Sequence, residues 1–331
     1  MIKFRTEVEL PQFTTKIGYR NQSLLIGSCF AENIGIYLEQ RCFPVLVNPF
    51  GILYNPLSIA NSLELLMVRK SFTEQDLFFS NSLYHSFSHH SRFSGSDPGS
   101  MLEKINRQAA DASDRLKNAS HLFITFGTSW VFEDKNSGKV VSNCHKLPSE
   151  TFIHKRITIN QITAIWIPLI EKLRAINPAL NIVFTVSPIR HLKDGAHENQ
   201  LSKSILLLAI EEMVSHVNNN SVCYFPSYEI MMDELRDYRF YGADMTHPSD
   251  IAADFIQEKF ITTFLDGESQ KIISEVDKLL PAIHHRPFNP LEEGYISFVE
   301  KQISKLELLQ NKYPFVNFTL LRRQFSEKTT N

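Results

Sequence analysis

Short apolar runs at residues 24–26, 44–47, 121–126, 181–186 and 222–225 alternate with longer stretches of helical spacing. The 181–186 run is nearly all β-branched or aromatic, and turn residues bound the runs, which is the signature of buried strands. Between the first two, Ile34, Leu38 and Cys42 fall on one face of a helix over residues 31–41. Further helices are predicted from Pro56 and Ser58 to about 69, over 101–116, over 158–176 with a kink at Pro168, over 199–217, and over 229–236;. Pro248 suits the first turn of another, ending near residue 264;. Strands separated by helices argue for a parallel sheet with helices on both faces. Ligands of such sheets bind in the crevice at the carboxyl ends of the strands.

Three regions depart from this rhythm. Residues 70–100 carry Phe78, Phe79, Tyr84, His85, Phe87, His89, His90 and Phe93 with few aliphatics, a length and composition that suit a binding loop;. Residues 133–157 make a hairpin-like excursion around Asn136-Ser137-Gly138. Residues 268–331 show no strand pattern, and Leu291, Tyr295, Phe298, Ile303 and Leu306 share one side of an amphipathic helix over 291–309. That extension is expected to pack on the rest of the chain or on a second subunit, giving a homodimer through the C-terminal helices. Residues 1–23 read as an extended entry segment, and no internal repeat is present.

The 331 residues suit one large domain or two of ordinary size, with hydrophobic content of 43% and charged content of 21%;. A net charge of −2 without a charged block gives no reason to expect nucleic acid as a partner;. The segment starting Met1-Ile2-Lys3-Phe4 lacks the apolar core of a secretory signal, and no uncharged stretch is long enough to span a bilayer;. Cys29, Cys42, Cys144 and Cys223 are scattered without metal-ligand or disulfide spacing, as expected of reduced thiols in a cytoplasmic protein;.

Candidate chemistry begins at the first strand. Leu24-Leu25-Ile26 stops at Gly27, and Ser28 and Cys29 open the following helix. A hydroxyl there faces unpaired backbone N–H groups and the positive end of the helix dipole, which would stabilise developing negative charge. A serine that only caps the helix fits the same pattern. What favours a nucleophile is Asp244-x-x-His247 after the last strand, where a carboxylate can hold the imidazole Nδ1–H and leave Nε2 facing Ser28. Gly51, Gly127-Thr128-Ser129, Arg190-His191 and Tyr228-Glu229 also follow strands and are expected at the same edge.

Gly27-Ser28-Cys29-Phe30-Ala31 is the signature of the GSCFA-domain family. The chain resembles that family also in Phe50-Gly51-Ile52-Leu53-Tyr54-Asn55-Pro56, His89-His90, Asn143-Cys144-His145-Lys146, Ser187-Pro188-Ile189-Arg190-His191 and Asp244-x-x-His247-Pro248-Ser249, over roughly residues 20–290. The family is similar to the SGNH/GDSL hydrolase superfamily. The resemblance implies a flavodoxin-like three-layer α/β/α fold, which the residue pattern places over residues 1–267 with the two insertions, followed by the helical extension over 268–331. It also implies an acyl hydrolase or O-acyltransferase without cofactor or metal, acting on a small or carbohydrate-like substrate. Ser28 would be the nucleophile, His247 the base and Asp244 its orienter, with the backbone N–H groups of Ser28 and Gly51 holding the oxyanion. The superfamily's third-block asparagine is missing, because Thr128 and Ser129 follow Gly127. Thr128, Ser129 or Asn143 would then have to supply the third donor. Cys29, also at the helix start, is a rival nucleophile.

His85, His89, His90, His145 and His191, with Arg190 and Glu229, suit a pocket for an anionic or polyhydroxyl substrate. Hydrogen-bonded loop histidines and a histidine metal site are the competing readings of the same residues. Lys146 could join a pocket or a rim ion pair.

Overall fold

The computed structural model describes residues 5–219, 221–288 and 292–330. The ends Met1–Phe4 and Leu291, the first residue of the expected amphipathic stripe, lie outside them.

The five apolar runs form one parallel sheet: β1 (Ser23–Gly27), β2 (Val45–Val47), β3 (His121–Phe126), β4 (Asn181–Val186) and β5 (Val222–Phe225). Their spatial order is β2-β1-β3-β4-β5, the flavodoxin-like order;. All residues of β1, β3 and β4 are buried, as parallel strands covered on both faces must be;. Alternate side chains feed two cores. Leu24 and Ile26 point into one, shared with α2 (Pro56–Met67), α3 (Pro98–Asn118), α4 (Ile159–Ile176) and α5 (Ala196–Val217). Leu25 points into the other, shared with α1 (Cys29–Gln40) and α6 (Asp250–Phe264).

The second core also takes in α7 (Gly267–Asp277), α8 (Leu280–His284), α9 (Glu293–Lys312) and α10 (Thr319–Thr330). Tyr295, Val299, Leu306, Val316, Leu321 and Phe325 are buried there, so the C-terminal helices pack on their own chain. Among the described residues no helix is long and apolar enough to cross a membrane.

Several helix ends shift by a few residues from the sequence pattern, two of them after β5. Ser249, not Pro248, borders α6: its hydroxyl accepts the Ala252 N–H, and a hydroxyl cap outcompetes proline at that boundary;. Residues 227–234 form a helical turn that widens to a π-helical stretch and ends at Leu235.

Both insertions carry small antiparallel sheets. Phe78–Ser80 pairs with Leu83–His85, and Trp130–Asp134 pairs with both Val140–Val141 and Phe152–Arg156. They join where Ser142 N–H donates to the Phe87 carbonyl at 2.8 Å.

Candidate active site

β1 and β3 are neighbours in the sheet, and their carboxyl ends flank the point where strand order reverses;. Ser28 leaves β1 there and caps α1, its hydroxyl accepting the Phe30 N–H at 3.4 Å. Gly27 allows the turn with φ of +144°; a Cβ on it would lie 2.2 Å from the Thr125 carbonyl oxygen of β3;. The Gly27 N–H donates to Asn48 Oδ1 at 2.8 Å, and Asn48 Nδ2 donates to Glu32 at 2.7 Å. Arg92 closes this network by donating to Glu32 at 2.6 Å and to the Asn48 carbonyl at 2.5 Å. The first insertion is thereby tied to the ends of β1 and β2.

Gly127, at the end of β3, packs directly on Ser28. A side chain at Gly127 would meet the Tyr54 carbonyl at 3.1 Å, and His191 Nε2 and the Ser28 Cβ at 3.4 Å each. Tyr54, Ser28 and His191 are thus neighbours around one glycine, and the Tyr54 and His191 rings meet edge to face. Ser28 is 0% exposed. Among the described residues its hydroxyl has no hydrogen bond to His247 or any other side chain. His191 Nε2 is buried without a hydrogen-bond partner. Burial first, then the charges of Lys203 and His247, push this imidazole down to about 4, so it is neutral at physiological pH.

The structure brings Asp244 and His247 together. His247 Nδ1–H donates to Asp244 Oδ2 at 2.6 Å, while Asp244 Oδ1 accepts the N–H groups of Thr246 and His247 at 2.9 and 3.0 Å. These bonds, the two backbone N–H groups among the largest contributors, hold the Asp244 carboxyl far below the usual carboxylate range. Both side chains are 53% exposed. Their loop docks on the connection after β4, where Arg190 N–H donates to the Thr246 carbonyl at 3.2 Å. The dyad is therefore exposed on a loop docked at the connection after β4, whose His191 neighbours the buried Ser28 around Gly127.

The expected oxyanion donors are engaged elsewhere. Ser28 N–H donates to the Thr125 carbonyl at 3.1 Å and Gly51 N–H to the Asn48 carbonyl at 2.7 Å. Thr128 Oγ1 bonds Ser202 Oγ at 3.1 Å and accepts the Trp130 N–H, and Ser129 bonds the same Ser202 hydroxyl. Asn143 stays in the second insertion, its Oδ1 accepting the His145 N–H at 2.8 Å.

Most of the insertion histidines belong to packing rather than to an open pocket. His89, 1% exposed, stacks on Phe50 at 4.7 Å, meets Phe72 and Phe93 edge-on and bonds the Ser86 hydroxyl at 2.9 Å. His85 is clasped by Ser94 Oγ at 2.7 Å and the Ser80 carbonyl at 3.0 Å, and His145 donates to the Ser86 carbonyl at 2.9 Å. Burial pushes His89 down to about 3 and His145 to about 4. His90 packs its Cβ against Gly51 and accepts the Arg92 N–H, and burial lowers its pKa as well. No group of three or more His, Cys, Asp or Glu side chains is arranged to hold a metal among the described residues. Glu229 accepts the Tyr224 hydroxyl at 2.7 Å, and burial raises its pKa. Arg190 has no carboxylate partner among the described residues, and its Nε is buried and unpaired.

The inner edge of α5 contributes residues that the sequence pattern did not single out. Asn199, Ser202 and Lys203 are each 2% exposed or less. Asn199 Oδ1 accepts the His191 N–H at 2.8 Å, Ser202 holds Thr128 and Ser129, and Lys203 donates to the carbonyls of Gly127 and Ser187 at 2.8 Å each. Their i, i+3, i+4 spacing on the face an amphipathic helix would fill with apolar groups was the available signal. Cys29, beside Ser28, has its thiol pKa raised by burial and so lacks thiolate character;.

A flavodoxin-ordered sheet with a serine at the switch point and an Asp–His pair after the last strand defines an α/β/α protein. The chain belongs to the GSCFA family: the GSCFA family model matches residues 22–260, and that of the GSCFA domain protein C-terminal domain matches residues 276–331. No curated protein matches the sequence. Among solved structures it is similar to an acetyl xylan esterase, Est2A, from the rumen bacterium Butyrivibrio proteoclasticus, at 12% identity and a TM-score of 0.40. That match covers 74% of this chain, and the chain spans 63% of the esterase's length.

Proposed function

We propose that this protein is a serine-dependent acyl-ester hydrolase or O-acyltransferase acting on a small or carbohydrate-like substrate. The observation that carries the reading is the Asp244–His247 pair at the sheet edge where Ser28 caps α1. Ser28 Oγ would attack the acyl carbon as its proton passes to His247 Nε2, with Asp244 supporting the imidazolium. The tetrahedral oxyanion would form at the positive end of α1. Its collapse expels the alcohol, which takes the proton from His247. Water or an acceptor hydroxyl then attacks the acyl-Ser28 ester, again through His247, and frees the serine. Because Ser28 is closed off in the arrangement described, acylation requires the groups around Gly127 to draw back and let His247 approach.

A serine-directed phosphonate tests this. Wild type should become labelled at Ser28 and cleave simple acyl esters, and Ser28→Ala should do neither. The variant loses a helix cap worth about 1 kcal/mol, so its melting curve confirms that it is still folded. Wild type that neither labels nor cleaves any acyl ester sinks the reading.

The full burial of Ser28, with no hydrogen bond to His247 among the described residues, favours one second reading, a ligand-binding module on the same fold. A ligand that raises the melting temperature of wild type and Ser28→Ala equally, without turnover, would select it.

A further inference from the structure

Lys203 is 0% exposed, among the largest wholly buried side chains of the protein. Its Nζ donates to the Gly127 carbonyl after β3 and to the Ser187 carbonyl after β4, each at 2.8 Å. It also stands 5.4 Å from the centre of the Tyr228 ring. No carboxylate pairs with it among the described residues. A buried ammonium without a counter-ion is costly, and the neighbouring turn is held without one: the Ser202 hydroxyl accepts the Ser129 N–H and bonds Thr128 Oγ1;. Gly127, one of the two groups Lys203 grips, is the residue packed on Ser28 and His191.

We propose that Lys203 is a positioning residue for Ser28: it ties the Gly127 turn packed on the serine to the Ser187 turn, and its positive charge favours the negative charge that develops at Ser28. The inference rests on the serine reading above. It supplies an electrostatic role that the resemblance gives to a third-block asparagine, absent from this chain. The groups facing Nζ are Cys29 from α1, His191 from the β4–α5 connection, Tyr228 from the segment after β5 and the two carbonyls. Burial keeps the Cys29 thiol and Tyr228 hydroxyl protonated and His191 neutral near pH 7, so none of them cancels the ammonium. Burial also pushes Lys203 itself down to about 7. Above that pH the amine is neutral but keeps two N–H donors for the two carbonyls. The clamp persists while the charge disappears.

The experiment is the rate of Ser28 labelling by an uncharged phosphonate between pH 5.5 and 9. Wild type should show a limb that descends as pH rises through about 7, and Lys203→Met should label about tenfold more slowly with that limb gone. A lysine that served packing alone would lower the melting temperature without changing the shape of the pH profile. Equal rates and profiles in the two proteins overturn the proposal. Lys203→Gln keeps an N–H donor without charge and is the second variant; if neither variant folds, a wild-type profile without the descending limb is the overturning result. Wild type that never labels overturns the serine reading and this inference together, whereas labelling with a flat profile overturns only the role of Lys203.

Discussion

Gly27→Ala tests the geometry that presents Ser28. The new Cβ would lie 2.2 Å from the Thr125 oxygen, 2.8 Å from its nitrogen and 2.9 Å from its carbonyl carbon. The first distance is about 1 Å short of ordinary carbon–oxygen contact, and the obstacle is backbone that no rotamer change can move. Relief therefore means parting β1 from β3 at their ends. That strains the Ser28 N–H···Thr125 and Gly27 N–H···Asn48 bonds, worth about 1 kcal/mol each;. An alanine at φ of +144° adds about 1–3 kcal/mol of torsional strain;. The sum is roughly 3–5 kcal/mol, a large share of a typical ~5–15 kcal/mol stability. Gly138→Ala is the control: φ is +66°, nothing lies within 4 Å of its Cβ position, and the left-handed torsion alone should cost about 1–2 kcal/mol;. Urea unfolding reads the difference. With an m-value of about 3 kcal/mol per molar, the midpoint should fall by about 1–1.7 M for Gly27→Ala and by about 0.3–0.7 M for Gly138→Ala. Equal midpoints for the two variants would refute the argument that β3 backbone leaves room for glycine alone.

Two further outcomes follow from the site and its surroundings. Asp244→Asn should cut Ser28 labelling by about 10²–10⁴-fold, because the amide no longer holds His247 with its proton on Nδ1; the melting temperature should barely move at so exposed a position, and wild-type labelling would exclude the dyad;. Burial sets His89 to about 3 and His121, His145 and His191 to about 4. Their folded-state pKa values are depressed, so the unfolded chain binds protons first as pH falls below about 6.5 and stability is lost down to about 4, with roughly three to four protons taken up on unfolding at pH 5. A melting temperature that stays flat over that range contradicts it.

The sheet was legible because each strand is a compact apolar run between turn residues, and parallel strands buried on both faces can be written in no other way;. The 130–134 strand was hidden because Trp130, Phe132 and Glu133 are only partly buried in a sheet of three short strands. At the site, Ser28, Asp244 and His247 stood out by residue type and by their places after strands. The condition of the groups between them did not. Whether a backbone N–H is free depends on the turn and the partner strand: the turn from Asn48 takes the Gly51 donor, and Thr125, remote in sequence, takes that of Ser28. The insertion histidines misled for a related reason: a histidine between aromatics has the same local sequence whether it lines a pocket or stacks inside one, as His89 does on Phe50.

Helix α1, which bears Ser28 at its tip, shares one apolar cluster with the helices at the far end of the chain: Phe30, Ile34 and Leu38 belong with Val299, Leu306 and Phe325. Bringing these residues into one cluster closes very long loops, and such closures form late and slowly;. During synthesis N-terminal parts emerge and collapse first, so the cluster that α1 joins is completed only after Phe325 has been made;. Ser28 is made long before the residues that complete the packing behind it.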